Sequence, residues 1–409
     1  MDREWREASD LRTSIFSIGV VVLSAAALRT WNLRHAVVDP TEAETVSAIA
    51  QLIQTGTYHP SILTRPTLPV YVQGAVAVAQ FLCGATLGWW SSVNAFGAEQ
   101  IVLWGRAFSA VLGTAAVLLV HQVGLRWGAR HALLAAGLMA VTPIHVAASR
   151  EIGYGAPLTL FAVLALLTSL KAAEHVTTRA FVIAGAASGL AAASHYAGVL
   201  TIVMPLIAAW MTHSDESSRL RRAGVALAAA IICFVAATPL TVRDLPAFLN
   251  GFAAAASPYH TEFSEVTNVD VLRALVAAIA WPGLLLAVGG LVLAAVRAFT
   301  GPGHIRWALL ATFPFLYVIL IASHGATSDV VLLPALPAVT LLAAIAVISG
   351  VSQLRRFDIP RPARTMLIAA LTIAAVLPPA VFSLALIRQQ GRETAATTPA
   401  IGLVTNTGR

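Results

Sequence analysis

Few groups in this sequence can do chemistry, and one acidic cluster outside the apolar runs is denser than the rest. Asp39, Glu42 and Glu44 follow the first long apolar run at close spacing. Carboxylates in such a place can act as a general base or hold a divalent metal against a phosphate. If a metal binds, Asp39 and Glu42 are its candidate ligands. Part of the cluster has a plainer explanation. Thr41 followed by Glu44 is a capping-box pattern, and Glu42 falls in a first turn where the helix dipole favours negative charge. Asp39 then stands as the candidate catalytic base, with Glu42 beside it.

The candidate substrate-binding groups are mostly cations. Arg106 lies inside an apolar run, where a charge is costly and usually paired or functional. A helix beginning near residue 101 would instead let it reach the interface. Arg150 could hold a phosphate by paired donors or anchor a helix end. Arg65 and the pair His195-Tyr196 complete the set, although a lone histidine at the end of an apolar run is more often structural. His59, His260 and His324 show no metal-ligand spacing. There is no Walker loop, dinucleotide fingerprint or nucleophile elbow.

The elements that must position these groups are membrane helices. Of 409 residues, 58% are hydrophobic and 11% charged, against about 25% charged in a soluble domain. Mean hydropathy is +0.79. Apolar runs long enough to cross a hydrocarbon core of about 30 Å recur along the chain. They predict an all-α integral membrane protein, a single domain over 1–409. Candidate spans lie at 13–29, 67–90, 101–124, 131–149, 155–173, 179–195, 197–212, 222–240, 271–297, 305–323, 330–350 and 365–387. The first run, followed by Arg29-Thr-Trp-Asn, reads as a retained helix and not a cleaved signal.

The net charge of +7 comes from arginines in short loops, Lys171 being the sole lysine. This is the positive-inside pattern and not a nucleic-acid surface. Cys83 and Cys233 both fall in apolar runs and make neither a disulfide framework nor a metal site. The arginine loops place the N-terminus in the cytoplasm and the tail 388–409 on the outer side, together with loops 30–66 and 241–270. Twelve full spans cannot satisfy that arrangement. The weakest is 67–90, which holds Pro69, Gln73 and Gly84, so eleven full spans are expected, with twelve as the alternative. Within 30–66, residues 41–55 read as an amphipathic helix on the membrane surface, with Val46, Ile49 and Ile53 on one face and Gly56 as its stop.

The order of segments resembles the membrane glycosyltransferases of the GT-C fold, in particular the bacterial family 39 group related to protein O-mannosyltransferases and aminoarabinose transferases. The resemblance rests on Leu28-Arg-Thr-Trp-Asn-Leu, Val38-Asp-Pro-Thr-Glu-Ala, Arg65-Pro-Thr-Leu-Pro-Val-Tyr, Trp104-Gly-Arg-Ala-Phe-Ser-Ala-Val-Leu-Gly, Ser149-Arg150, Pro157-Leu158, Ala193-Ser-His-Tyr-Ala-Gly and Leu333-Pro-Ala-Leu-Pro, in that order. It implies transfer of a sugar from a polyprenyl-phosphate lipid to an acceptor at the outer face of a bacterial inner membrane. It implies an aspartate base in the first outer loop, and an open outer cavity lined by Asp39, Glu42, Arg150 and His195. No cofactor is implied beyond a divalent metal ion.

The sequence also departs from that pattern. With the surface helices in register, the family's aspartate-glutamate pair falls on Thr41 and Glu42. Its second aspartate falls on Gly155, its lysine before tyrosine on His195, and its Arg-Tyr on Val330 and Val331. These replacements raise a second reading, a catalytically inactive scaffold serving as a subunit of a larger membrane complex. Membrane lipids are partners under either reading. A transporter would need paired broken helices with ionisable groups near the midplane, and none is visible.

Overall fold

The structure is a computed structural model that describes residues 2–35, 40–57, 63–212, 215–256, 268–300, 303–323, 329–350, 352 and 360–404. Asp39, His59, His260 and His324 lie outside these residues. The described elements are helical: α1 (Asp2–Thr30), α2 (Pro40–Thr55), α3 (Leu68–Thr86), α4 (Ala98–Gly124), α5 (Ala129–Val141), α6 (Pro143–Ala148), α7 (Gly155–His175), α8 (Thr178–Ser194), a 3-10 turn (Tyr196–Ile202) running into α9 (Val203–Met211), α10 (Glu216–Ala237), α11 (Leu240–Arg243), α12 (Leu245–Ala256), α13 (Asn268–Thr300), α14 (His304–Ser323), α15 (Asp329–Leu332), α16 (Leu336–Ile345) and α17 (Arg361–Val404). Among them, six helices are long and apolar enough to cross a membrane.

Each expected span falls on a helix, and the breaks have local causes. Pro143 follows Thr142, whose extended backbone separates α5 from α6, as expected before a proline. The 3-10 turn after His195 opens the next pass. In α13 the backbone leaves helical geometry at Ala280, two residues before Pro282. Two segments read as outer connections carry helix: α11 and α12 lie in the first part of 241–270, and α17 continues through the expected tail as far as Val404.

The weakest candidate span behaves as its sequence suggests. α3 lies antiparallel along only the first part of α4. Gln73 Nε2 donates to the Gly105 carbonyl at 3.3 Å and to Ser109 Oγ at 3.0 Å, and Gln80 Nε2 donates to the Gln100 carbonyl at 3.2 Å. At about 1.5 Å per residue, α3 stops roughly 15 Å short of the far end of α4. Val70 near its start and Phe96 after its end both join Val46 and Ile49 of α2 in one small apolar cluster. Both connections of α3 therefore sit at the end of the bundle that carries α2, although its 19 residues would suffice to cross. Among the described residues, α4, α7, α10, α13 and α17 are, besides α3, the helices individually long and apolar enough to cross a membrane, and α1, α5, α9, α12, α14 and α16 carry shorter apolar stretches.

Small residues let these helices pack closely. Gly185 and Gly189 on α8 face Ala226 and Ala230 on α10. A Cβ at those glycines would lie 2.0 Å from the Ala226 carbonyl oxygen and 2.3 Å from that of Ala230. A small residue every fourth position is how membrane helices bring backbones together where lipid supplies no hydrophobic drive.

Candidate functional site

At the α2 end, polar groups form two layers. The deeper one is built on Glu42, and the sequence explains why it forms. Pro40 suits the first helical turn, so α2 begins there and Glu42 turns inward from its first turn. Arg106 lies between Gly105 and Ser109 among the buried residues of α4. Arg106 Nε donates to Glu42 Oε1 at 2.7 Å and Nη2 to Oε2 at 2.5 Å. The Ile152 amide donates to Glu42 Oε1 at 2.9 Å, and Arg106 Nη1 donates to the Leu33 carbonyl at 2.9 Å. Both side chains are 1% exposed. A bidentate pair of this kind is the strong form of the interaction. It ties α2, α4, the end of α1 and the loop before α7 into one unit. The capping-box expectation is corrected here. The helix starts before Thr41, which places Thr41 inside the first turn, and Glu44 reaches Arg65 instead of closing a cap.

Two more buried arginines serve helix ends. Arg150 Nη1 donates to the carbonyls of Trp31 at 2.7 Å and Leu28 at 3.1 Å, while its Nε donates to Gln390 Oε1 of α17 at 3.3 Å. Burial, reinforced by nearby Arg106 and opposed by Glu151, lowers its pKa. Arg29 donates to the carbonyls of Ala25 at 2.9 Å and Ala140 at 3.0 Å, and to His145 Nδ1 at 2.7 Å. These guanidinium groups satisfy the orphan carbonyls at the ends of α1 and α5, where the helix dipole favours a cation. Arg150 Nη2 is buried without a hydrogen-bond partner.

The outer layer is half-buried and more open. Arg65 Nη1 donates to Glu44 Oε2 at 3.4 Å, with the two side chains 35% and 77% exposed. The Arg65 guanidinium lies 5.2 Å from the centre of the Tyr154 ring, and Tyr154 meets His195 edge to face at 6.4 Å. His195 occupies the break between α8 and the 3-10 turn, where its Nδ1 accepts from the Ala197 amide at 3.2 Å. Burial first, and Arg65 second, push His195 down to about 4, so it is neutral near pH 7. Burial raises the Tyr154 hydroxyl above the ordinary phenol value, against the pull of Arg65. Tyr196 donates its hydroxyl to the Leu63 carbonyl at 2.8 Å and packs on Phe252 of α12 at 5.3 Å. It thereby ties the connection before α3 to the start of the 3-10 turn.

The structure thus gathers Glu42 with Arg106, and Arg65 with His195. Arg150 joins the deep layer and Tyr196 flanks the outer one. Glu44 and Tyr154 belong to the outer layer and were not singled out from the sequence. Glu44 was absorbed by the capping pattern, and Tyr154 has no spacing signal, only its place before Pro157. A cavity of about 160 Å³ adjoins this layer between α3, α4 and α7, lined by Leu68, Val72, Phe108, Leu112, Pro157 and Phe161, with Gln73 the polar residue of its wall. It is apolar, and none of Glu42, Arg150 and His195 lines it. Among the described residues no three His, Cys, Asp or Glu side chains are grouped to hold a metal ion. Both oxygens of Glu42 already accept hydrogen bonds.

The fold is similar to that of the GT-C membrane glycosyltransferases. Residues 93–242 match the family model for dolichyl-phosphate-mannose-protein mannosyltransferase. Among solved structures, the fold matches ArnT from Cupriavidus metallidurans bound to undecaprenyl phosphate, with TM-score 0.61 and 14% identity over 93% of this chain and 77% of that one. It also matches the archaeal oligosaccharyltransferase AglB from Archaeoglobus fulgidus in complex with an inhibitory peptide and a dolichol-phosphate, with TM-score 0.60 and 14% identity over 92% of this chain and 56% of that one. No curated protein matches in sequence.

Proposed function

We propose that this protein is a membrane glycosyltransferase that takes a sugar from a polyprenyl-phosphate lipid and passes it to an acceptor at the outer face of a bacterial inner membrane. The observation that carries this reading is the outer layer itself. A cation, a carboxylate and a neutral histidine stand at one end of a helical bundle beside an apolar cavity. Transfer from a lipid phosphate needs a cationic partner for the leaving phosphate and a base for the acceptor hydroxyl, at a boundary between apolar and wet surroundings. Arg65 and His195 face the substrate, Tyr196 shapes the wall, and Arg106 and Arg150 hold the frame. Asp39 is the loop acid that the resemblance brings forward, and Glu42, locked to Arg106, fixes the helix that follows it. If a divalent metal takes part, Asp39 is the carboxylate left to bind it. The arginine-bearing loops support a cytoplasmic N-terminus and an outward C-terminus.

A second reading has its own support. The carboxylate that sequence places beside the family's catalytic position is consumed by Arg106 and the Ile152 amide, and Thr41, Gly155, Val330 and Val331 stand where the family carries polar groups. These favour a non-catalytic subunit of a membrane complex. One preparation distinguishes the two. The full chain is purified gently from native membranes, its companions are identified by mass spectrometry, and release of undecaprenyl phosphate from undecaprenyl-phosphate mannose and undecaprenyl-phosphate aminoarabinose is measured. Turnover of either donor is the expected result. A chain that turns over neither and emerges in fixed ratio with other membrane proteins is the scaffold.

A further inference from the structure

We infer that Glu44 is the carboxylate that takes the acceptor's proton, in a site completed by Arg65 and Tyr154. The inference rests on the transferase reading and assigns its base. Two carboxylates of α2 are described, and their settings differ in the properties a base needs. Glu42 is 1% exposed, accepts three hydrogen bonds at 2.5 to 2.9 Å and has no free face. Glu44 is 77% exposed, and its ion pair with Arg65, at 3.4 Å, is longer than the roughly 2.7–2.9 Å of a tight charged bond. Its carboxylate can therefore swing to a substrate hydroxyl without breaking the fold.

The surroundings fit the same step. Arg65 is held over the Tyr154 ring, which fixes the guanidinium while leaving donors for a phosphate. Tyr154 directly follows Gly153, and Arg65 stands three residues before Leu68; both Gly153 and Leu68 line the apolar cavity. The chain that carries Arg65 and Tyr154 thus leads directly into the wall of an apolar cavity, and Glu44 pairs with Arg65. In the step itself the acceptor O–H gives its proton to Glu44, and its oxygen forms a bond to the anomeric carbon. The bond from that carbon to the phosphate oxygen breaks, and its electron pair leaves on the polyprenyl phosphate beside Arg65. Glu44 then returns the proton to solvent.

The test uses the full chain in lipid nanodiscs with undecaprenyl-phosphate mannose and undecaprenyl-phosphate aminoarabinose as donors. Released undecaprenyl phosphate is read by mass spectrometry, and binding of undecaprenyl phosphate is measured separately. Glu44→Gln is expected to lower turnover about 10²- to 10⁴-fold, the range for loss of a general base, with lipid binding unchanged. Glu44→Asp should restore part of it. Glu44→Gln turning over like the wild type would overturn the assignment and leave the transferase standing. A wild-type chain that turns over neither donor removes the transferase reading and the Glu44 assignment together. Because Glu44 is exposed, its replacement leaves no buried charge unpaired, so loss of turnover is not a folding defect.

Discussion

Glu42–Arg106 and Glu44–Arg65 are the same chemical pair, two residues apart on one helix, yet they do different work. The first is sealed at 1% exposure with every carboxylate oxygen engaged. The second is loose and faces water. The difference comes from the 3.6-residue helical period, which turns Glu42 toward α4 and Glu44 toward the connection before α3. A charge pair in a sealed site is costly to break, whereas the same pair in water contributes little. The buried pair therefore builds the site, and the exposed one is available for chemistry.

The largest effect should come from breaking the sealed pair. Arg106→Leu leaves Glu42 buried without a counter-charge, and a loss of about 3–5 kcal/mol is expected. It would be read as a collapse in detergent-solubilised yield and melting temperature. A variant as stable as wild type would show that Glu42 is not sealed as described. Replacing both members, Glu42→Leu with Arg106→Leu, should recover much of that loss, because it removes the uncompensated charge.

The next effect probes packing away from the pairs. Gly185→Val must push α8 off α10, since even a Cβ there would lie 2.0 Å from a backbone oxygen. Overpacking of this kind costs about 1–3 kcal/mol. An unchanged melting temperature would mean that the two helices do not approach so closely.

A smaller effect is confined to low pH and to the outer layer. His195 has its pKa depressed from 6.5 to about 4 in the folded protein. The unfolded chain therefore takes up this proton first as pH falls. Stability from this group is fully present above pH 6.5 and is lost as pH drops toward 4. His195→Gln should flatten that part of the melting-temperature profile. Equal profiles for variant and wild type would place His195 in water.

The smallest effects belong to the exposed pairs. Arg65→Ala should change stability by no more than about 1 kcal/mol. So should Arg126→Ala at the opposite end, where Arg126 Nε donates to Glu174 Oε1 at 2.7 Å. If Arg65→Ala destabilised the chain as much as Arg106→Leu, the contrast between the two layers would be lost.

Much of the frame was legible in the sequence because lipid imposes strict rules. Every backbone polar group at membrane depth must be satisfied within its own segment, so long apolar runs are helices. The arginine loops single out 67–90 as the weakest span, and in the structure Gln73 and Gln80 of α3 pair with the first part of α4. Pro69 at its start and Gln73 within it were the visible signs. The surface helix was legible from the spacing of Val46, Ile49 and Ile53, since the first two are buried against α3.

What the sequence could not divide was the acidic cluster. Read locally, Thr41 and Glu44 make a cap and Glu42 is a favourable charge in a first turn. The fold reversed the emphasis, because residues far away decide each side chain's surroundings. Arg106 stands 64 residues from Glu42, and Ile152 stands 110 from it. Composition and periodicity determined that this is a bundle of membrane helices with an acidic cluster on its first long connection. Only the tertiary contacts decided which acid is sealed into the frame and which stays free, because burial and pairing are properties of neighbours that local sequence does not contain.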